Sequence, residues 1–180
     1  MGKGSIVREL VARDPEGLSL SVSVTTRAPR PGEVDGVDYF FVDDDAFDRM
    51  IRAGELLEWA EVVVHRSGTP KGFVDDRLSA GRDVILEIDV VGASQIRDRV
   101  PGSVLIFVEP PSMEELERRL RGRGTETEDR IRLRLETAEW EREQKDWFEH
   151  TVVNDDLERA SSQVAAIIEG SRPPSEEGLP

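Results

Sequence analysis

The amino-acid sequence predicts an α/β fold with a parallel core sheet and a more antiparallel region set apart from it. Three observations carry this expectation. Val84-Ile85-Leu86-Glu87-Ile88-Asp89-Val90 and Val104 to Val108 are β-rich and apolar apart from two acids, the pattern of buried parallel strands. Between them Gly92 to Arg99 reads as a helix, which makes one β-α-β unit. Leu18 to Val24 instead alternates strictly. Leu18, Leu20, Val22 and Val24 share one face and Ser19, Ser21 and Ser23 the other, as in a half-buried strand that presents hydroxyls.

The remaining elements follow from local signals. Ile6, Val7, Leu10 and Val11 recur at helical spacing, so residues 4–13 form an amphipathic helix ended by Asp14-Pro15-Glu16-Gly17. Arg27-Ala28-Pro29-Arg30-Pro31-Gly32 is a stiff basic loop, and Tyr39 to Val42 a short strand. Asp44 to Ala53 is a helix stopped by Gly54, Leu56 to Val64 is extended, and Lys71 to about Ala80 is helical. Pro110-Pro111 ends the second apolar strand. Ser112 with Glu115 makes a capping box for a helix to about Arg121, and Thr125 with Glu128 makes another for a helix to about Lys145. Thr151 to Val153 is a last strand, and Leu157, Ala160, Val164 and Ile168 stripe a final helix. Residues 171–180 are rich in Pro, Gly and Glu, a composition expected to be disordered.

Composition narrows function. The 180 residues hold 24 Lys and Arg against 38 Asp and Glu, a net charge of −14, which argues against nucleic acid and anionic membrane as partners. There is no cysteine, so disulfides, thiolate zinc sites and a cysteine nucleophile are excluded. The longest aliphatic or aromatic run, Val104 to Val108, is five residues and far too short to span a bilayer. No apolar leader follows the opening residues, so the cytoplasm is the expected location.

The charge is uneven. Pro31 to Val62 carries ten acids against Arg49 and Arg52, whereas Glu117 to Arg134 holds seven arginines and four acids. Such islands are either solvated helix faces or groups that converge on a polyanionic ligand, and spacing leaves both readings open. Gly2-Lys3-Gly4-Ser5 directly before a helix has the form of the back half of a phosphate-binding loop. Glycines there let backbone N–H groups approach phosphate oxygens, a lysine bridges the outer phosphates, and the helix N-terminus favours the anion. A solvated terminus accounts for the same four residues.

Longer motifs decide between these readings. Ser23-Val24-Thr25-Thr26-Arg27-Ala28-Pro29-Arg30-Pro31-Gly32-Glu33-Val34-Asp35-Gly36-Val37-Asp38-Tyr39-Phe40-Phe41-Val42 closely resembles the nucleoside-monophosphate loop of guanylate kinases. Glu55-Leu56-Leu57-Glu58-Trp59-Ala60, Gly68-Thr69-Pro70, Leu86-Glu87-Ile88-Asp89, Pro110-Pro111-Ser112, Gly122-Arg123-Gly124-Thr125-Glu126-Thr127 and Val153-Asn154-Asp155 resemble the same family. They stand in family order over residues 2 to about 169.

The resemblance implies a three-layer P-loop kinase fold over residues 1–170, with a GMP-binding insertion at about 24–80 and a helical lid at about 121–140. It implies transfer of the terminal phosphoryl group of ATP to GMP with Mg2+, by a monomer or homodimer whose partners are these small nucleotides. Arg27 and Arg30, held by the proline-stiffened loop, clamp the GMP phosphate through planar forks, and Tyr39 donates its hydroxyl to the same phosphate. Guanine offers N1–H and a 2-amino group, both donors that adenine lacks. A carboxylate that accepts from them selects guanine, a role that falls by motif match to Glu58, with Ser23, Thr69 and Asp89 in support. On the ATP side the matching positions are Gly2, Lys3, Gly4, Ser5, Arg123 and Asn154. Lys3, Arg27 and the lid arginines Arg123 and Arg134 are the implied catalytic charges, and no residue is assigned directly to the metal. Two acids inside an apolar strand, Glu87 and Asp89, are costly unless used. His65 and His150 read as surface or satisfied histidines, Trp140 and Trp147 as packing residues.

Three departures from the family pattern stand out. Ser67 occupies a position usually held by a nucleotide-contacting tyrosine, and Val91 one usually held by glutamine. The sequence also opens inside the phosphate loop, so the first core strand and the forward half of the cradle are absent from it, and the chain as given is expected to fold or bind ATP poorly. A misassigned start accounts for this. So does a non-catalytic relative that keeps its GMP pocket, like the kinase-like modules of membrane-associated scaffolds.

Overall fold

The computed structural model describes residues 2–62, 65–122 and 127–172. The chain divides into two compact units, Leu10–Ser103 and the described residues on either side of it, with α1 (Lys3–Arg13) passing from one into the other. Seven α-helices and eight strands are found among the described residues. No described helix is long and apolar enough to cross a membrane.

In the unit Leu10–Ser103, β1 (Leu18–Leu20) runs parallel to β6 (Asp83–Ile85), with Leu18 opposite Asp83 and Leu20 opposite Ile85. A four-stranded sheet has the order β3-β2-β5-β4, from β2 (Val24–Thr25), β3 (Phe40–Phe41), β4 (Leu56–Val62) and β5 (His65–Pro70). All its pairings are antiparallel except β2 with β3. Helix α2 (Asp44–Ala53) forms where the sequence predicts it. The Asp43 carboxylate accepts from Ala46 N at its start, and Gly54, at φ 68°, ends it in the left-handed region that glycine adopts freely. Its Phe47 is fully buried with Val24 and Leu56, and Phe40, Val42, Met50, Ile51 and Trp59 pack around them. Two further helices, α3 (Lys71–Ser79) and α4 (Val90–Arg99), complete the unit.

The strands depart from expectation in two places. Leu18 to Val24 is not one strand, because its pairing with β6 ends after Leu20 and Val24 belongs to the other sheet, between β3 and β5. Nor is one face covered and the other open: Leu18 and Val24 are buried, but so are Ser19 and Ser21, while Leu20 is 37% exposed. Alternation defines two faces but does not say which residues neighbouring elements cover. The run Val84 to Val90 leaves its ladder after Ile85 and is only half-buried, with Glu87 exposed. Asp89 serves instead as the N-cap of α4, accepting from Gly92 N at 2.8 Å, so neither acid lies inside a buried strand.

In the other unit, β7 (Ile106–Glu109) runs parallel to β8 (His150–Val153). The strands flanking α4 thus belong to separate ladders, not to one β-α-β pair. Helices α5 (Met113–Gly122) and α6 (Glu128–Glu143) share a core of Leu116, Leu120, Ile131 and Ala138. Ser112 Oγ accepts from Glu115 N at 3.2 Å, as its capping box predicts. The second box rests on Thr125, which lies outside the described residues, and Thr127 stands at the N-cap of α6. A 3-10 turn (Lys145–Trp147) follows, with Trp147 stacked on Phe148 at 4.2 Å, whereas Trp140 is 46% exposed and so does not pack inside. Asp156 caps α7 (Leu157–Ser171), which carries helix through the first residue of the stretch expected to be disordered.

Candidate functional site

Glu58 is the most unusual side chain of the Leu10–Ser103 unit. It lies on β4 opposite Thr69 of β5 and is 4% exposed, and Thr69, fully buried, donates its hydroxyl to Glu58 Oε1 at 2.6 Å. Burial pushes the Glu58 carboxyl above its ordinary range. The Thr69 hydrogen bond opposes that shift, and the negative charge of Asp89 adds to it. The first turn of α4 lies against the same carboxylate. A Cβ on Gly92 would stand 2.5 Å from Glu58 Oε2, so only glycine admits this approach. Ser23 precedes Val24, which pairs with Gly68, and Thr69 follows Gly68, so Ser23 and Thr69 occupy the same end of adjacent strands. The structure thus gathers Glu58, Thr69, Asp89 and, by register, Ser23.

Arg27 and Tyr39 meet in the loop before β3. The Arg27 guanidinium donates from Nη1 and Nη2 to Glu33 Oε2 and Oε1, both at 2.9 Å, and its carbon lies 5.3 Å from the Tyr39 ring centroid. Glu33 Oε2 also accepts from Arg30 N at 2.6 Å, although the Arg30 residue itself is exposed. The mutual hydrogen bonds hold the Arg27 pKa above, and the Glu33 carboxyl below, their ordinary values. Sequence reasoning did not single out Glu33. It lies within the loop motif, three residues after Arg30, but in a stretch already full of acids nothing marked it as the partner of Arg27. Ser67, at the departing position, donates its hydroxyl to Val24 O at 3.3 Å and is thereby spent on the backbone.

In the other unit the glycine-lysine segment opens α1. Gly2 has φ 83°, and its carbonyl accepts from Ser5 N at 3.1 Å and Ile6 N at 3.4 Å. A Cβ there would stand 2.5 Å from Asn154 Nδ2, so glycine permits the contact between two residues expected on the ATP side. Asn154 is buried, its N–H donating to Glu109 O at 2.8 Å and its carbonyl accepting from Arg119 Nη1 at 3.0 Å. Lys3, Gly4 and Ser5 are half-buried. Arg134 is exposed on α6, and Arg123 lies outside the described residues. Three arginines of the island are ion-paired: Arg118 and Arg119 bind Glu115 and Arg121 binds Glu117 within α5, and Arg121 also binds Glu128 of α6. These ion pairs fit the solvated-face reading of Arg118, Arg119 and Arg121. No group of three acids or histidines among the described residues is arranged to hold a metal ion.

Comparison with known proteins gives these features a context. The guanylate kinase of Anaplasma phagocytophilum has the same fold, with a TM-score of 0.78 and 33% identity over 96% of this chain and 83% of that one. That sets the molecule in the α/β class of nucleoside monophosphate kinases, consistent with a P-loop fold. The family model for guanylate kinase matches residues 1–171. The guanylate kinase of Thermobifida fusca is 52% identical over 93% of this chain and 85% of its own length, and that of Corynebacterium diphtheriae 51% over 96% and 91%. The chain belongs to the guanylate kinase family.

Proposed function

We propose that the chain transfers the terminal phosphoryl group of ATP to a phosphate oxygen of GMP, breaking the bond to the ADP leaving group and yielding ADP and GDP. The observation that carries this reading is Glu58, a carboxylate drawn out of water with one oxygen held by Thr69 and the other against the first turn of α4. Such a group is costly until a ligand supplies donors, and the N1–H and 2-amino group of guanine are donors spaced for one carboxylate. Ser23 and Asp89 complete the guanine side. Arg27, Arg30 and Tyr39 bind the phosphate of GMP. Glu33 grips Arg27 by its Nη1–Nη2 edge, so the phosphate would meet the Nε–Nη2 edge of the same guanidinium.

Gly2, Lys3, Gly4, Ser5 and Asn154 form the ATP side, with Lys3 on the outer phosphates and Arg123 and Arg134 supplied by the lid. The residue after Lys3 is Gly4, which has no hydroxyl, so the divalent ion, Mg2+, would be held chiefly by phosphate oxygens and water. Bound there, it neutralises charge on the phosphates. In this reading the GMP-binding insertion covers about residues 24–80 and the lid about 121–140. The relatives named above are kinases, and nothing favours a non-catalytic module. A coupled assay of ADP formation with ATP and a panel of nucleoside monophosphates tests the proposal. GMP should turn over, and AMP should be slower by about 100-fold or more in kcat/KM. Equal use of AMP, or no use of GMP, refutes it.

A further inference from the structure

β4 is an edge strand. In the order β3-β2-β5-β4 it pairs on one side only among the described residues, so the backbone groups of alternate residues on its outer side have no ladder partner there. Those groups belong to Leu57 and Trp59, the two neighbours of Glu58, and α4 takes them up. Gln95 Nε2 donates to Trp59 O at 2.6 Å, and Gln95 Oε1 accepts from Trp59 N at 3.3 Å. Arg99 Nη1 donates to Leu57 O at 3.1 Å. One side-chain amide therefore makes both bonds that an adjoining strand would make, and Arg99 takes the next carbonyl in the row.

Gly92, Gln95 and Arg99 are spaced three and four residues apart and so share one face of α4. That face does two things at once. It grips the backbone on both sides of Glu58, and through Gly92 it seats the Glu58 carboxylate, with no room for even a methyl group between them. Water could satisfy an exposed edge carbonyl at little cost, so the bonds from Gln95 are not needed merely to avoid an unpaired group. Their distinctive effect is geometric. A carboxylate that accepts from two donors of one flat base tolerates only small displacement, and a shift of about 1 Å in the strand would spoil one of the two bonds.

We propose that Gln95 is a positioning residue for guanine recognition: it fixes the Trp59 backbone and thereby the place of the Glu58 carboxylate, with Arg99 as a second anchor at Leu57. The inference rests on the reading of Glu58 as the acceptor for guanine.

The test compares wild type, Gln95→Met, Gln95→Asn and Glu58→Gln with GMP and with IMP, which keeps N1–H but lacks the 2-amino group. Methionine removes both bonds at similar volume. Asparagine keeps the amide but is one methylene too short to bridge Trp59, and it supplies the measurement if the methionine variant does not fold. Melting curves fix an assay temperature at which each variant is folded. Both Gln95 variants should raise KM for GMP about 10-fold, a change of about 1.4 kcal/mol. They should leave kcat and the KM for ATP within about twofold and cut the preference for GMP over IMP by about fivefold. A lowered melting temperature with an unchanged GMP-to-IMP ratio would reduce Gln95 to a structural contact and overturn the proposal. The two failures are distinguishable. If Glu58→Gln keeps the wild-type preference, the guanine reading itself is wrong. If Glu58→Gln loses the preference and the Gln95 variants keep it, only the role of Gln95 is wrong.

Discussion

Two carboxylates in different regions of the molecule are driven in opposite directions. Glu58 on β4 is buried, and burial pushes its carboxyl up; its one hydrogen bond from a side chain comes from a neutral hydroxyl. Glu115 on α5 keeps its carboxyl in contact with water and with the guanidinium groups of Arg118 and Arg119, which hold its pKa down to about 2. In the first region charge is withdrawn from solvent and left with acceptor capacity to spare. In the second, charges of both signs cancel along a helix surface. Groups of the first kind suit discrimination between bases, because an unmet buried acceptor penalises the wrong ligand. Groups of the second kind make a surface whose net field is small, so the phosphoryl-transfer charges must come from residues outside these pairs.

The largest expected effect falls on that last point. Lys3→Met should lower kcat by about 100-fold or more, because a fixed cation on the outer phosphates acts where charge develops. The KM for GMP should stay within about twofold. Steady-state kinetics with each nucleotide varied in turn checks this, and a kcat near wild type would move the catalytic charge elsewhere.

Glu58→Gln sharpens the other side of the comparison. Loss of charge-assisted hydrogen bonds worth about 1.5–3 kcal/mol should lower kcat/KM for GMP by about 10- to 150-fold, with AMP little affected. The pH dependence has a definite sign. A carboxyl whose folded pKa is raised above its ordinary 4.5 contributes stability that is full below that value and lost as pH rises through the folded pKa. Free wild-type protein should therefore melt below the glutamine variant at neutral pH, and the gap should narrow on acidification. Guanine binding favours the ionised form, so KM for GMP in the wild type should climb over the same acidic interval and stay flatter in the variant. Parallel KM profiles in the two proteins would detach Glu58 from the base.

How much of this was legible depends on where each signal is stored. Helix α2 was readable to the residue because both ends are written in local chemistry, an Asp43 cap and a left-handed Gly54. The run Val84 to Val90 was misread because apolar composition records hydrophobicity and not pairing; the ladder stops at Ile85 so that Asp89 can cap α4. Glu58 stood out only through its motif, since an acid in an acidic stretch carries no label of its own. Glu33 lies in a motif too, but its role is a pairing with Arg27 across the loop, which motif membership does not specify. Gln95 was invisible for a different reason: its partner is the backbone of Trp59, 36 residues away, and backbone groups leave no mark in a sequence.

The smallest effect belongs to Glu115, and it bears on whether the self-paired surface is inert. Its depressed pKa means that its contribution is present above the ordinary carboxylate value and lost only as pH falls toward about 2. Both partners reach water and are screened by salt, so Glu115→Gln should shift the melting temperature at pH 7 by no more than about 2 °C, and less still at 1 M salt. One contact raises the stakes: Arg119, which Glu115 orients, also donates to the carbonyl of Asn154, the residue packed against Gly2. If the helix surface is no more than cancelled charge, the KM for ATP stays within about twofold in Glu115→Gln. A several-fold rise in that KM, with the melting temperature unchanged, would show that the Glu115–Arg119 pair sets the position of Asn154, and the contrast between a working interior carboxylate and an idle surface one would fail.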